Sequence, residues 1–294
     1  MAWSISQLTG YIDENSFDLI SKGVLKTNLV QFMNVRVGLQ GNNVDLPILD
    51  SDFFVQDGAN CGWNTSGDTS ITQVRMGIKN NKVNLTHCMQ TLRDTFLSKA
   101  LAAGAATGGE SIPYEELIAN FYVEKLNKWN EEYIMNGEGT FSGLTDILVT
   151  ANGTISGASA SAWTSSNAVA KAQTMYQALP DVAALRDDVI LILSPNQYRA
   201  LLLGITQENY YHIAPGGEIY VPGTNCRVVQ SAGLVNSNKK YMGSAATLYL
   251  GTDLTSDFEQ FKVWYSQDND EVRSLLRWRI GVAVSQPELW VAEL

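Results

Sequence analysis

The chain has 294 residues, of which 45% are hydrophobic and 17% charged, the balance of a globular protein able to bury a full-sized core. Its formal charge of −10 excludes tight, nonspecific nucleic-acid binding, because that affinity comes from lysines and arginines displacing counterions from phosphates. No stretch approaches the roughly 18 consecutive apolar residues of a membrane span, and the start MAWSISQLTG has no basic or apolar signal region, so neither a span nor a secretory leader is expected.

The acidic excess is spread along the chain, with 17 acidic and 10 basic residues up to Thr150, and 13 and 10 after it. No basic tail anchors a nucleic acid, although an acidic wall suits a container that must hold nucleic acid without adhering to it. Cys61, Cys88 and Cys226 are an odd number at no ligand-like spacing, which predicts reduced, mostly buried thiols.

In chain order, Ile12 to Leu25 has the spacing of a short amphipathic helix, and Asn28 to Ile48 turns to strand, with a turn at Gly41 to Asn43. The turn-rich stretch that follows carries Phe53, Phe54 and Trp63. These rings either fold back on their own domain or sit on a protruding hairpin and dock on a neighbouring subunit. Pro113 to Asn136 predicts a long helix of about 36 Å. Ser111 is its N-cap, Tyr114, Leu117, Ile118, Phe121, Tyr122, Leu126, Trp129 and Tyr133 form an apolar stripe, and Glu131 lies off the stripe. Gly137, Gly139 and Gly143 stop it in a tight turn; they follow a helix, so they lack the strand-to-helix setting of a dinucleotide loop.

Thr150 to Ser166 is small and polar and reads as a domain boundary or exposed loop. Asn167 to Leu179 predicts a helix ended by Pro180, DDVILILS a strand buried on both faces, and Ser194-Pro195 the cap of a helix with Gly204 just past its end. The C-terminal segment reads as a hairpin turning at Asp268 to Asp270. Val272, Leu276, Trp278 and Ile280 face one way, and Arg273, Leu275, Arg277 and Arg279 the other. Three like charges on one strand face must meet water or carboxylates, as a solvated face or as an inter-subunit or lumenal contact.

No catalytic constellation stands out. His87 and His212 are the only histidines, and no nucleophile elbow, Walker lysine or calcium loop occurs. His87-Cys88 with Cys61 matches no zinc spacing. No cofactor or metal is expected, nor is the chain expected to be an enzyme.

The order of features is specific: an N-terminal arm, a long hairpin, a helix ending NGEGTFSGL, a helix ending LP, DDVILILSPNQYRALL, VPGTNCRVVQS, YLGTDL and a closing RWRIGVAV strand. Together these resemble the major capsid protein of tailed bacteriophages, the Hong Kong 97 fold, over nearly the whole chain. The resemblance implies an α+β subunit: an N-terminal arm at 1–34, an extended β-hairpin loop at 35–82, a peripheral domain at 83–156 and 246–280 with its spine helix at 113–136, and an axial domain at 157–245 and 281–294. It also implies self-assembly as pentamers and hexamers into an icosahedral shell. That shell would enclose double-stranded DNA without tight or sequence-specific binding, and be built in the host cytoplasm to become part of the virion. Portal, scaffolding and decoration proteins are its implied partners. Some members cross-link an extended-loop lysine to a neighbour; here Lys79 and Lys82 lie near the loop's base and residues 52–67 have none, so no cross-link is expected. The contact candidates are Phe53, Phe54, Trp63, Arg273, Arg277 and Arg279. The alternatives are an encapsulin-like compartment and, from another class, a soluble α+β hydrolase or binding protein.

Overall fold

A computed structural model describes residues 27–39, 41, 43–51, 67, 69–88, 114–149, 153–158, 161–208, 218–253, 260–269 and 271–294. The expected helix at Ile12 to Leu25, the rings of Phe53, Phe54 and Trp63, the N-cap Ser111, Cys61 and His212 lie outside these residues. In chain order the strands and helices are β1 (Asn34–Arg36), β2 (Asn43–Ser51), β3 (Thr69–Cys88), α1 (Tyr114–Asn136), β4 (Gly137–Glu138), β5 (Phe141–Ser142), α2 (Leu144–Ile147) and β6 (Ile155–Ala158). Then follow α3 (Ala168–Gln177), α4 (Asp181–Ala184), β7 (Val189–Leu193), α5 (Pro195–Gln207), β8 (Arg227–Gln230), β9 (Lys240–Ser244), β10 (Leu248–Thr252), β11 (Gln260–Ser266), β12 (Glu271–Val284) and β13 (Trp290–Glu293).

Among the described residues one sheet of six strands runs β1-β10-β12-β3-β2, with β11 also on β12. Its axis is β12, which pairs with β3 from Glu271 to Gly281 and, on its other side, first with β11 and then with β10. Val272, Ser274, Leu276, Trp278 and Ile280 alternate inward, as the period of two requires, and α1 packs on that face. Trp129 meets Trp278 edge-on at 5.5 Å, Tyr122 meets Phe261 edge-on at 5.7 Å, and Trp278 Nε1 donates to Asn130 Oδ1 at 3.0 Å. Helix and sheet thus share an aromatic core in which the Trp278 indole N–H is satisfied.

The helix has 23 residues, about 35 Å. Its apolar stripe differs from the expected one at two described places. Phe121 is half exposed, and Glu131 is buried. Glu131 is covered by a second packing partner, the short 3-10 turn Ala232–Leu234, whose Gly233 lies against Glu131 and Met135. The helix stops as expected, because Gly137 and Gly139 take φ of 68° and 62°. A Cβ on Gly137 would lie 2.2 Å from the Phe141 carbonyl oxygen, so only glycine fits the β4–β5 turn.

Among the described residues the second sheet has five strands in the order β6-β13-β9-β7-β8. All five residues of β7 are buried, as its apolar run predicts. From β7 the chain crosses through α5 to the parallel β8. That helix does not end at Gly204 but runs on to Gln207. A Cβ at Gly204 would sit 2.7 Å from the Ser165 carbonyl oxygen, so this glycine permits close packing before α3 and is no stop signal. The small, polar stretch Thr150 to Ser166 is likewise not simply an exposed loop: it contributes β6 to the sheet edge and the buried Trp163. Asn28 to Ile48 is not one continuous strand-and-turn. Val30–Phe32 is a 3-10 turn, β1 pairs in parallel with β10, and among the described residues β2 pairs with β3.

Candidate assembly surfaces

The feature that sets this chain apart is β3, 20 residues long and about 68 Å if fully extended. From Ile78 to Cys88 its described pairing is with β12; from Thr69 to Gly77 it is with β2. Only the base of this ribbon is packed, where Leu46 and Met76 bury against Ala283. Farther out Ser70, Ile71, Thr72, Gln73 and Arg75 are exposed, Ile71 to 66%, and the Arg75–Asp45 ion pair at 3.0 Å is open to solvent. A two-stranded ribbon is marginal in water by itself. Its free edge carries Pro47, which has no N–H to offer an added strand.

The three arginines predicted to share one strand face separate. Arg277 is exposed and Arg273 half-buried, 3.7 Å from Glu271. Arg279 corrects the expectation of a solvated or inter-subunit charge: it is buried and its Nη1 lies 3.2 Å from Asp253 Oδ2, itself fully buried. The ion pair lies where β12 meets the end of β10.

Sequence reading missed a second buried pair. Lys240 Nζ lies 2.6 Å from Glu293 Oε2, donates to the carbonyls of Ser161 and Asn238, and sits 4.9 Å from the centre of the Trp163 ring. With every proton of the ammonium engaged, this pair fastens the C-terminal strand into the second sheet; burial still holds the Lys240 pKa below its ordinary value. The two residues are 53 apart in sequence, and nothing in their neighbourhoods marks them as partners. Glu131 was missed likewise: burial pushes its carboxyl pKa up, although it accepts hydrogen bonds from the Ala232 N–H and the Ser231 hydroxyl.

The chemistry-bearing groups make no reaction centre among the described residues. His87 Nε2 is 2.6 Å from the Tyr122 hydroxyl, a structural hydrogen bond beneath α1. Cys226 is buried and its thiol pKa pushed far up, whereas Cys88 is exposed, against the expectation of mostly buried thiols. No group of three or more metal-ligating side chains comes together among the described residues. A cleft of about 720 Å³ lies between the ribbon base and the β4–β5 turn, where Arg75, Lys79, Asn80 and Thr140 line it without a carboxylate, histidine or cysteine. Among the described residues no helix is long and apolar enough to cross a membrane.

No protein-family model matches the sequence, and no curated protein matches it. Solved structures do match in fold. A chain of the satellite phage P4 procapsid including the size determination (Sid) protein superposes with a TM-score of 0.62 at 10% identity, over 94% of this chain and 98% of that one. The capsid of the native GTA particle gives 0.57 at 13% identity over 92% and 89%. The virus-like particle from Pyrococcus furiosus gives 0.54 at 16% over 95% and 97%. These likenesses define the class: the chain has a mixed α+β, Hong Kong 97-like capsid fold.

Proposed function

We propose that this chain is the major capsid protein of a tailed bacteriophage, a structural protein without catalytic activity. Copies assemble as pentamers and hexamers into an icosahedral shell in the host cytoplasm and enclose double-stranded DNA in the virion. The observation that carries this is a capsid fold matched over 94% of the chain, together with a ribbon on which Ser70, Ile71, Thr72 and Gln73 are exposed. In this reading the ribbon is the extended loop, α1 with the six-stranded sheet is the peripheral domain, and the five-stranded sheet belongs to the axial domain. The boundary drawn at 82/83 divides β3 within its run beside β12, so loop and peripheral domain form one continuous strand. Many modest, repeated interfaces then add up through symmetry. A net charge of −10 keeps the shell from adhering to the DNA it holds. Scaffolding, portal and decoration proteins complete the particle.

The likeness to the Pyrococcus furiosus virus-like particle favours a second reading, an encapsulin-like compartment with protein cargo. One experiment separates these: the chain is expressed alone and with its neighbouring genes, sized by chromatography with light scattering, and imaged by negative-stain microscopy. Closed shells containing DNA support the virus, and closed shells containing enzyme support the compartment. A stable 32.2 kDa monomer under every condition refutes both.

A further inference from the structure

On the face of the six-stranded sheet turned away from α1, a cavity of about 260 Å³ opens where the two sheets meet. Tyr249 of β10 is paired with Ala283 of β12, and the period of two puts both on the side opposite Trp278, which α1 covers. Leu46 and Ile48 of β2 give the cavity an apolar wall. Arg36 of β1, Arg186 just ahead of β7, Tyr249 and Gln286 bring polar atoms to it, and among the described residues no carboxylate lines it.

Two guanidinium groups therefore share one space without an acid between them. Arg36 is exposed, its guanidinium carbon 5.9 Å from the centre of the Tyr249 ring, and among the described residues it forms no ion pair. Arg186 is half-buried and held in place: its Nη1 donates to Ser244 Oγ at 3.2 Å, and that hydroxyl donates to Asp188 Oδ2 at 2.5 Å. The same Asp188 oxygen accepts the Ala246 N–H at 2.8 Å, so Asp188 orients Arg186 at one remove instead of neutralising it in direct contact. Like charges lining one cavity repel, the more so where an apolar wall lowers the local dielectric. An oxyanion between them removes that repulsion and accepts charge-assisted hydrogen bonds from both planar forks. The Gln286 amide and the Tyr249 hydroxyl line the same space as further donors. Pockets for drug-sized ligands begin at roughly 300 Å³, so this one suits a small ion with its waters. Several oxygens, each able to accept, favour phosphate over chloride.

We propose that this cavity is a phosphate seat, in which Arg36 and Arg186 together bind one phosphate group, carried by a free ion or by a nucleic-acid strand. The bound group bridges β1 of the first sheet and the entry to β7 of the second, and so ties the two sheets together. One chain supplies every donor, so the seat is independent of assembly into a shell.

The test is isothermal titration of the full chain with inorganic phosphate against chloride at constant ionic strength, with thermal unfolding followed across the same series. One phosphate per chain is expected, together with an unfolding temperature that rises as the seat fills. Arg36→Gln and Arg186→Gln are each expected to weaken binding about tenfold. Arg199→Gln, which removes an exposed charge on α5 outside the cavity, is expected to leave binding unchanged. Should an arginine variant fail to fold, Gln286→Glu sets a carboxylate in the cavity and is expected to prevent phosphate binding. A short single-stranded oligonucleotide without terminal phosphates is titrated in parallel. Binding by the free ion assigns the seat to free phosphate; binding by the oligonucleotide alone, with the same dependence on both arginines, assigns it to a nucleic-acid strand. Failure of both to bind overturns the proposal, as does phosphate binding that survives unchanged in the arginine and Gln286 variants.

Discussion

Glu131 shows how one residue can couple two parts of this molecule. Its carboxyl sits on α1 against Ser231 and Ala232, and burial raises its pKa above the ordinary carboxylate value. The folded state therefore binds a proton that the unfolded state has already released, so this residue's contribution declines as pH rises from the ordinary value through the raised one. Glu131→Gln is expected to flatten that decline, seen as a smaller loss of unfolding free energy across the window in denaturant titrations at several pH values. The Lys240–Glu293 pair answers to a different rule. Removing one member of a buried pair leaves a charge uncompensated, so Lys240→Met is expected to cost about 3–5 kcal/mol, while Lys240→Met with Glu293→Leu recovers most of it. Thermal unfolding of the single and double variants checks this; equal losses would mean that the pair contributes packing alone.

At the scale of elements, the helix stop and the ribbon make opposite predictions. Gly137 is fixed by its left-handed backbone and by a carbonyl where a side chain would stand, so Gly137→Ala is expected to destabilise the subunit by about 2 kcal/mol or more. Ile71 stands in the open on the ribbon, so Ile71→Asp is expected to leave monomer stability within about 0.5 kcal/mol while weakening assembly. A subunit melting curve paired with particle yield distinguishes the two variants. The sequence was legible where local physics decides: the glycine stop, the Ser-Pro start of α5, the alternation along β12 and the buried run of β7 all stand as read. It was illegible where a distant segment decides. Gly204 resembles a stop until α3 is seen to approach it, Glu131 resembles surface charge until the 3-10 turn covers it, and Arg279 resembles its exposed neighbours until Asp253 arrives from β10.

For the whole molecule, the continuous β3–β12 ladder joins the ribbon to the aromatic core under α1. Lys79 sits at the ribbon base and donates to Thr140, and residues 52–67 hold no lysine, so particles are expected to be held without covalent links. Assembled particles run on a denaturing gel should give one band at the subunit mass; a ladder of multiples would show a cross-link and refute this.

By itself the sequence determined the α+β class, the long helix and its glycine stop, the C-terminal hairpin and the order of features that resembles a capsid subunit. These follow from periodicity, capping and backbone sterics, which act within a few residues. Only the tertiary structure decided which charges are paired, which faces are open and how far the ribbon stands from the sheet. Those depend on strand register and on segments far beyond local spacing: Lys240 with Glu293, Asp253 with Arg279, and Lys82 beside Arg277 across a ladder joining residues nearly 200 apart. Local spacing carries no information about such neighbours, because they exist only once the sheets have formed.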